Sequence, residues 1–413
     1  MTAEVAIMNT NGIALAADSA VTLGNGKTYN TCDKLFALSK YHPVGIMIYG
    51  SADIMGLDWE IIIKSYRDFL GKKSFDKLSD YAGDFLNYLS KFPYFTNSQM
   101  VRYLKSMCFE VFSKILTKFI DELHAKFDNK ENIKFSQIGT VFNTVIKNLK
   151  EKIEMAEDEK QIKVDSEFID ANINEINEMA KIVFENYHLS KNQIAELVNI
   201  LKLNFQKCGW LNYPAGIVIS GYGEREIYPT TCDFLVDGIL GDSLIYSNYD
   251  IDQINDDHNA SILPFSQTEM VYQFANGIEP NFSEKIQEKL ETILKSLAPL
   301  INDPEEKKAD AISKLLTDYM SSIIRGVYQE PIVKTVALMQ ISELVSMAEA
   351  MVNLTALRRH VSTDKESVGG PIDVALITKG DGFIWIKKKT SYDPHLNREL
   401  NQNYFRGGRN ENI

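Results

Sequence analysis

The stretch Thr2-Ala3-Glu4-Val5-Ala6-Ile7 decides how the rest of the chain is read. A small residue directly behind the initiator suits methionine aminopeptidase. Removal of Met1 is therefore expected, leaving Thr2 as the free N-terminus. Thr2 then carries a hydroxyl nucleophile and an α-amino group on one residue. The amine has a reference pKa of about 8, so a neutral fraction near pH 7 can act as a base. A hydroxyl activated by its own chain terminus is an established route to nucleophilic catalysis. Taken alone, Thr2 is simply a well-tolerated second residue; the residues that follow give it weight.

Residues 3–8 alternate and are rich in strand formers, and Asn11-Gly12 is a strong hairpin signal. Ile13 to Ala17 reads as a second strand that closes at Asp18-Ser19. Thr22-Leu23-Gly24-Asn25-Gly26 is a turn, Lys34 to Leu38 a short strand, and Val44 to Tyr49 another that ends at Gly50-Ser51. The opening fifty residues are thus a β-meander. It delivers a carboxylate, Asp18, and an amine, Lys34, to strand edges near Thr2. Singly, each reads as an ordinary solvated turn residue; together with Thr2 they read as a site.

This text resembles the start of a proteasome-type threonine peptidase, a member of the N-terminal nucleophile (Ntn) hydrolases. Ala16-Ala17-Asp18-Ser19 and Lys34-Leu35-Phe36 fall at the family's distances from the leading Thr, and Gly45 to Asp53 resembles the strand that turns into its first large helix. The resemblance implies that the turn at Tyr49-Gly50 donates the oxyanion-hole N–H. The family usually carries two adjacent glycines there, whereas this chain has Tyr49, whose ring is expected to reshape the pocket. Ile262 to Tyr272 resembles the segment leading into the third helix. There the resemblance assigns Ser266 to the N-terminal amine, although the usual flanking glycines are absent. A helix N-cap ahead of Glu269 is the competing reading of Ser266. Gly369-Gly370-Pro371-Ile372-Asp373-Val374 through Asp381-Gly382 resembles the closing strand pair. The family's Asp and Ser just before it fall near Asp364, with a one-residue shift, and on Val368.

The implied fold class is α+β: a four-layer αββα sandwich of the proteasome-like Ntn hydrolase type with large helical insertions. Its core spans 1–95, 213–272 and 333–395. Helical insertions occupy 96–212 and 273–332, and a polar tail 396–413. Helical periodicity supports the non-strand parts. Leu57, Ile61, Ile62, Tyr66, Phe69 and Leu70 recur at helical spacing after Asp53. Leu78, Tyr81, Phe85, Leu86 and Leu89 share a face over 74–91. Ile194, Leu197, Val198, Leu201 and Phe205 form a stripe, Ile286 to Leu300 a short heptad seam, and 333–357 one further helix. Strands are expected over 215–221 and 224–239, joined by a turn at Gly221-Tyr222-Gly223.

Composition excludes other classes. The formal charge is 44 − 56 = −12, which disfavours a nucleic-acid surface. The four Cys show no CxxC spacing, and there is no Walker A loop, HExxH or GxSxG. No apolar run approaches a membrane span, so no membrane partner is expected and a cytoplasmic location is. The resemblance implies no cofactor or metal, and a peptide or protein substrate. It also implies assembly into a homo-oligomeric ring and an ATP-dependent unfoldase as partner. Two rivals stand beside the peptidase: a small-molecule amidase using the same site, and an inactive ring or scaffold subunit.

Overall fold

The computed structural model describes residues 2–22, 27–127, 135–155, 166–207, 214–247, 250–297, 307–362 and 368–389. The opening meander forms as its turn signals dictate. Strand β1 (Ala3–Asn9) turns into β2 (Gly12–Ala17), β3 (Val21–Thr22) pairs with β4 (Thr28–Tyr29), and β5 (Leu35–Ala37) pairs with β6 (Val44–Gly50). A small hairpin, β7 (Asp53–Ile54) with β8 (Leu57–Asp58), precedes helices α1 (Trp59–Leu70) and α2 (Leu78–Ser90). The first insertion holds α3 (Asn97–Phe127), α4 (Phe135–Met155), α5 (Ser166–Ala171), α6 (Ile173–Val183) and α7 (Lys191–Lys207).

Strands then resume as β9 (Ala215–Gly221), β10 (Thr230–Leu240), β11 (Ser243–Tyr246), β12 (Asp250–Gln253) and β13 (Ala260–Ser266). Helices α8 (Glu269–Asn276), α9 (Pro280–Leu297) and α10 (Lys307–Ile323) follow. A π-helical turn at Ile324–Gln329 leads into α11 (Glu330–Leu338), then α12 (Ile341–His360), β14 (Asp373–Thr378) and β15 (Gly382–Lys387).

The result is a mixed α and β fold on antiparallel sheets. One sheet runs β13-β1-β2-β14-β15; the other runs β11-β10-β9-β6-β5, with β12 also on β10. Strand alternation sorts their residues into layers. Ala6, Met8, Leu15 and Ala375 from the first sheet meet Leu35, Met47 and Val218 from the second in one apolar cluster. Val5, Ile7, Ala14 and Val374 point the other way and pack on Leu344, Ala348 and Val352 of α12. Ile46, Ile48, Ile217 and Phe234 pack on Ile62, Tyr66, Tyr81 and Phe85 of α1 and α2. Both faces of β1 are therefore covered, and all seven of its residues are buried.

Four sequence expectations shift. Helix α1 starts at Trp59 rather than near Asp53, and it buries Ile63 where Ile61 and Phe69 were expected; both of those are exposed. The strand after Gly223 begins at Thr230, not 224, because Gly223 N donates to Glu226 at 2.7 Å and curls the connection. The single helix over 333–357 is two. Met339 is extended, and Gln340 opens α12 in a capping box with Glu343. Asn9 Nδ2 of β1 donates to Val336 O at 2.8 Å and Met339 O at 3.0 Å, pinning the carbonyls that the break frees. In the heptad seam Ile286 and Leu290 are half-buried and Ile293 is exposed, and Leu300 lies outside the described residues, as do residues 23–26 of the first turn. Among the described residues, no helix is long and apolar enough to cross a membrane.

Candidate active site

Register brings the expected residues together. Pairing of Glu4 with Ala17 places Asp18, at the end of β2, beside the start of β1, and Asp18 N donates to Ala3 O at 3.1 Å. Lys34 precedes β5, and Ile48 N of β6 donates to Lys34 O at 2.9 Å, fixing its backbone. Lys34 Nζ then donates to Thr2 Oγ1 at 3.0 Å and to Asp18 Oδ1 at 2.6 Å. Thr2, Asp18 and Lys34 are all buried, at 4%, 1% and 5% exposure. An ammonium so placed stabilises negative charge that develops on the hydroxyl oxygen far better than it would in water.

Asp18 is held on every side. Besides Lys34, its carboxylate accepts from Ala3 N at 3.1 Å, Gly369 N at 2.9 Å and Ala20 N at 3.4 Å. The closing Gly369-Gly370 pair thus bears on the site directly, because one of its amides orients the residue that orients Lys34. A second anchor lies next door. Lys389 Nζ bridges Asp33 at 2.9 Å and Asp373 at 2.6 Å, tying the end of the described chain to the residue before Lys34. Burial lowers the Lys389 pKa, but the hydrogen bonds that it donates to Asp373 and Asp33 outweigh it and leave it raised.

Tyr49 and Gly50 share a cavity of about 20 Å³ with Thr2, Lys34, Cys32 and Trp59. Gly50 has φ +80, and a Cβ there would stand 2.6 Å from Pro214 O, so glycine is required at the strand end. The Tyr49 ring enters the layer between the sheets. It stacks on Phe265 with ring centroids 5.9 Å apart, and its hydroxyl donates to Asp233 at 3.2 Å. Gly216 opposite makes room, since a Cβ there would lie 1.9 Å from the ring. Tyr49 is also the one residue that lines both this cavity and a second of about 400 Å³ walled by Asp233, Asp250, Asp252 and Tyr272. It partitions the two.

Ser266 sits opposite Ala3 in the β1–β13 register with φ +66, on the wall of the second cavity. The N-cap position of the helix after it falls on Thr268, whose side chain makes no capping hydrogen bond, so the N-cap reading of Ser266 does not describe this structure. Gln267 N donates to Thr2 O at 3.1 Å. Asp364 lies outside the described residues. Val368 is described and buried, an apolar residue where the resemblance implied Ser.

Sequence reading missed three groups. Glu4 is fully buried, and neither carboxyl oxygen has a hydrogen-bond partner. Burial pushes its pKa well above the usual carboxylate range, against the pull of Lys34. Asp233 is raised to about 6, chiefly by burial. Trp59 is 2% exposed and its indole N–H has no acceptor, a state that costs roughly 1–3 kcal/mol when a donor is buried. A carboxylate two residues past Thr2, in a strand covered on both sides, was the available signal for Glu4.

These residues define a class: a mixed α and β protein whose antiparallel sheets bury a hydroxyl–ammonium–carboxylate constellation at a strand start. No protein family's sequence profile matches the chain, and no curated protein matches it in sequence. Among solved structures, it is similar to Anbu (ancestral beta-subunit) from Yersinia bercovieri, at 9% identity and TM-score 0.28, over 100% of this chain and 98% of that one. It is likewise similar to an Anbu (Gly-1) mutant from Hyphomicrobium sp. strain MC1, at 8% identity and TM-score 0.28, over 100% and 98% of the two chains. A likeness of that size carries no argument about activity.

Proposed function

We propose that the chain is a proteasome-like Ntn hydrolase, a four-layer αββα sandwich with helical insertions. It cleaves amide bonds with Thr2 as nucleophile once Met1 is removed. The observation that carries this reading is the buried Lys34 ammonium held between Thr2 Oγ1 at 3.0 Å and Asp18 at 2.6 Å. The helix–sheet–sheet–helix order of the apolar clusters supports the fold half of the reading.

The steps use only groups of this chain and water. The Thr2 amine takes the hydroxyl proton as Oγ1 attacks the amide carbon. Lys34 stabilises the oxygen's charge, and the backbone at Tyr49-Gly50 receives the carbonyl oxygen as it becomes anionic. The amine returns the proton to the leaving nitrogen, the C–N bond breaks, and an ester on Thr2 remains. Water, deprotonated by the same amine, hydrolyses the ester and restores Thr2. Asp18 acts through Lys34 as a positioning residue. Ser266 and Asp364 belong to the proposal as groups that orient the amine.

Peptides are the proposed substrate. The Tyr49 ring, which lines the cavity at Thr2, favours one second reading, a small-molecule amidase with identical chemistry. A homo-oligomeric ring and an ATP-dependent unfoldase complete the proposal, and native mass tests the ring. Hydrolysis of a panel of fluorogenic peptides and small amides by wild type and Thr2→Ala tests the activity. Turnover by wild type alone supports it; equal turnover by both, or none by either, overturns it.

A further inference from the structure

The turn from β13 into α8 runs against local backbone preference. Ser266 sits at φ +66, in the left-handed region that suits glycine, and no glycine flanks it. A conformation of that kind persists only where its surroundings hold it. The same turn carries the start of the chain. Ser266 faces Ala3 in the β1–β13 register, and Gln267 N donates to Thr2 O at 3.1 Å.

The grip on this turn comes from α12. Arg359, in the last turn of that helix, donates through its guanidinium to Gln267 Oε1 and stands 3.6 Å from Glu269 Oε1. One planar fork thus reaches the residues on both sides of Thr268. Gln267 is buried. The helix that supplies Arg359 is itself fixed to the nucleophile's strand, because Leu344, Ala348 and Val352 pack on Val5 and Ile7 of β1. Arg359 lines neither of the two cavities that Tyr49 separates.

Lys34 holds the Thr2 hydroxyl, and Gln267 N holds the Thr2 carbonyl. With two of the three polar arms of Thr2 fixed, the third, its amine, keeps one direction. Loss of the grip on the carbonyl frees a chain end that has a single covalent tether.

Resting on the hydrolase reading above, we propose that Arg359 is a positioning residue for the nucleophile. By clamping Gln267 and Glu269 it holds the turn against β1, and the turn holds Thr2 with its amine set for proton transfer. Small misplacements of a reacting group are expensive, so Arg359→Met is expected to lower kcat by about 10- to 100-fold. KM should stay close to wild type, since Arg359 stands clear of both cavities.

The test uses the full chain, a fluorogenic peptide or amide that wild type turns over, and the variants Arg359→Met, Gln267→Met and both together. Rates are taken per folded molecule. The clamp runs through Gln267, so the double variant is expected to be no slower than Arg359→Met alone. Arg359→Lys keeps the charge, loses the fork and is expected to recover kcat only in part. An unchanged kcat in Arg359→Met, a loss confined to KM, or losses that multiply in the double variant each overturn the inference and leave the hydrolase standing. Where Arg359→Met fails to fold, Arg359→Lys decides: a lowered kcat supports the inference and a wild-type kcat overturns it. A wild type that turns over no substrate, and whose Thr2 no electrophile acylates, removes the hydrolase reading and the inference with it.

Discussion

Two regions of this chain bury apolar cores and treat polar groups in opposite ways. The helical insertion closes Phe112, Phe119, Phe142, Phe184 and Leu201 into a core that also takes Leu240 and Ile245 from β10 and β11. Over 97–207, Asn204 is the only buried polar residue among the described residues. The sheets and their flanking helices bury Thr2, Glu4, Asp18, Lys34, Ser220, Thr231 and Asp373. Burying polar and charged groups is costly unless each is paired. The insertion meets that cost only at Asn204, whose Oδ1 is buried without a partner; the sheets accept it widely and offset most of it with hydrogen bonds. On the hydrolase proposal, the strand-built region carries the chemistry and the insertion serves as packing.

The comparison breaks most sharply at Thr2 and Lys34. Thr2→Ala is expected to reduce amide hydrolysis by at least about 10³-fold while leaving the melting temperature close to wild type. Lys34→Met is expected to abolish turnover and also to destabilise. It strips the ammonium from a buried carboxylate, a change of about 3–5 kcal/mol when a buried pair loses one partner. Urea unfolding beside the rate assay separates the two outcomes. In the insertion the pattern inverts. Phe119→Ala removes a fully buried ring that contacts Phe142 edge-on at 5.5 Å, and should cost about 3–5 kcal/mol. The rate per folded molecule should hold. A rate that falls with Phe119→Ala would show that the insertion shapes the site.

The smallest expected effect is a pH slope, and it belongs to the sheets alone. Asp233 has a folded pKa of about 6, above its unfolded value. The unfolded chain therefore releases this proton first as pH rises. The stability from Asp233 is fully present below about pH 4 and is lost as pH rises toward 6. The loss is about 2 kcal/mol, from roughly 1.4 kcal/mol per pKa unit less some solvent screening. Glu4 has the same sign, and its loss begins near pH 4 and continues upward. Asp233→Asn should flatten the fall in melting temperature between pH 4 and 6, and Glu4→Gln the fall above it. Unchanged slopes would place these carboxyls in water.

Much of this was legible from residue types. Thr2, Asp18 and Lys34 stood at strand edges that hairpin signals could locate, and the structure brings all three together. Turn signals and alternation placed β1, β2, β6 and β9 well, because local backbone preferences decide them, while the closing pair β14 and β15 was implied by the resemblance. What escaped depends on distant partners. The break between α11 and α12 is held by Asn9, more than three hundred residues away. The course of the Tyr49 ring depends on the absence of a side chain at Gly216 and on Asp233 across the sheet. Glu4 read as one half of a polar alternation until a second sheet covered it. Nothing local in the sequence marks the Trp59 donor as unpaired.

Intact-mass and peptide-level spectrometry of the purified chain, before and after a β-lactone electrophile, tests the central claim most directly. The account predicts a protein lacking Met1 that gains one acyl group on the Thr2 oxygen, with the gain lost in Lys34→Met. Retention of Met1 in protein that still turns over substrate, or an acyl group on any other residue, would contradict it.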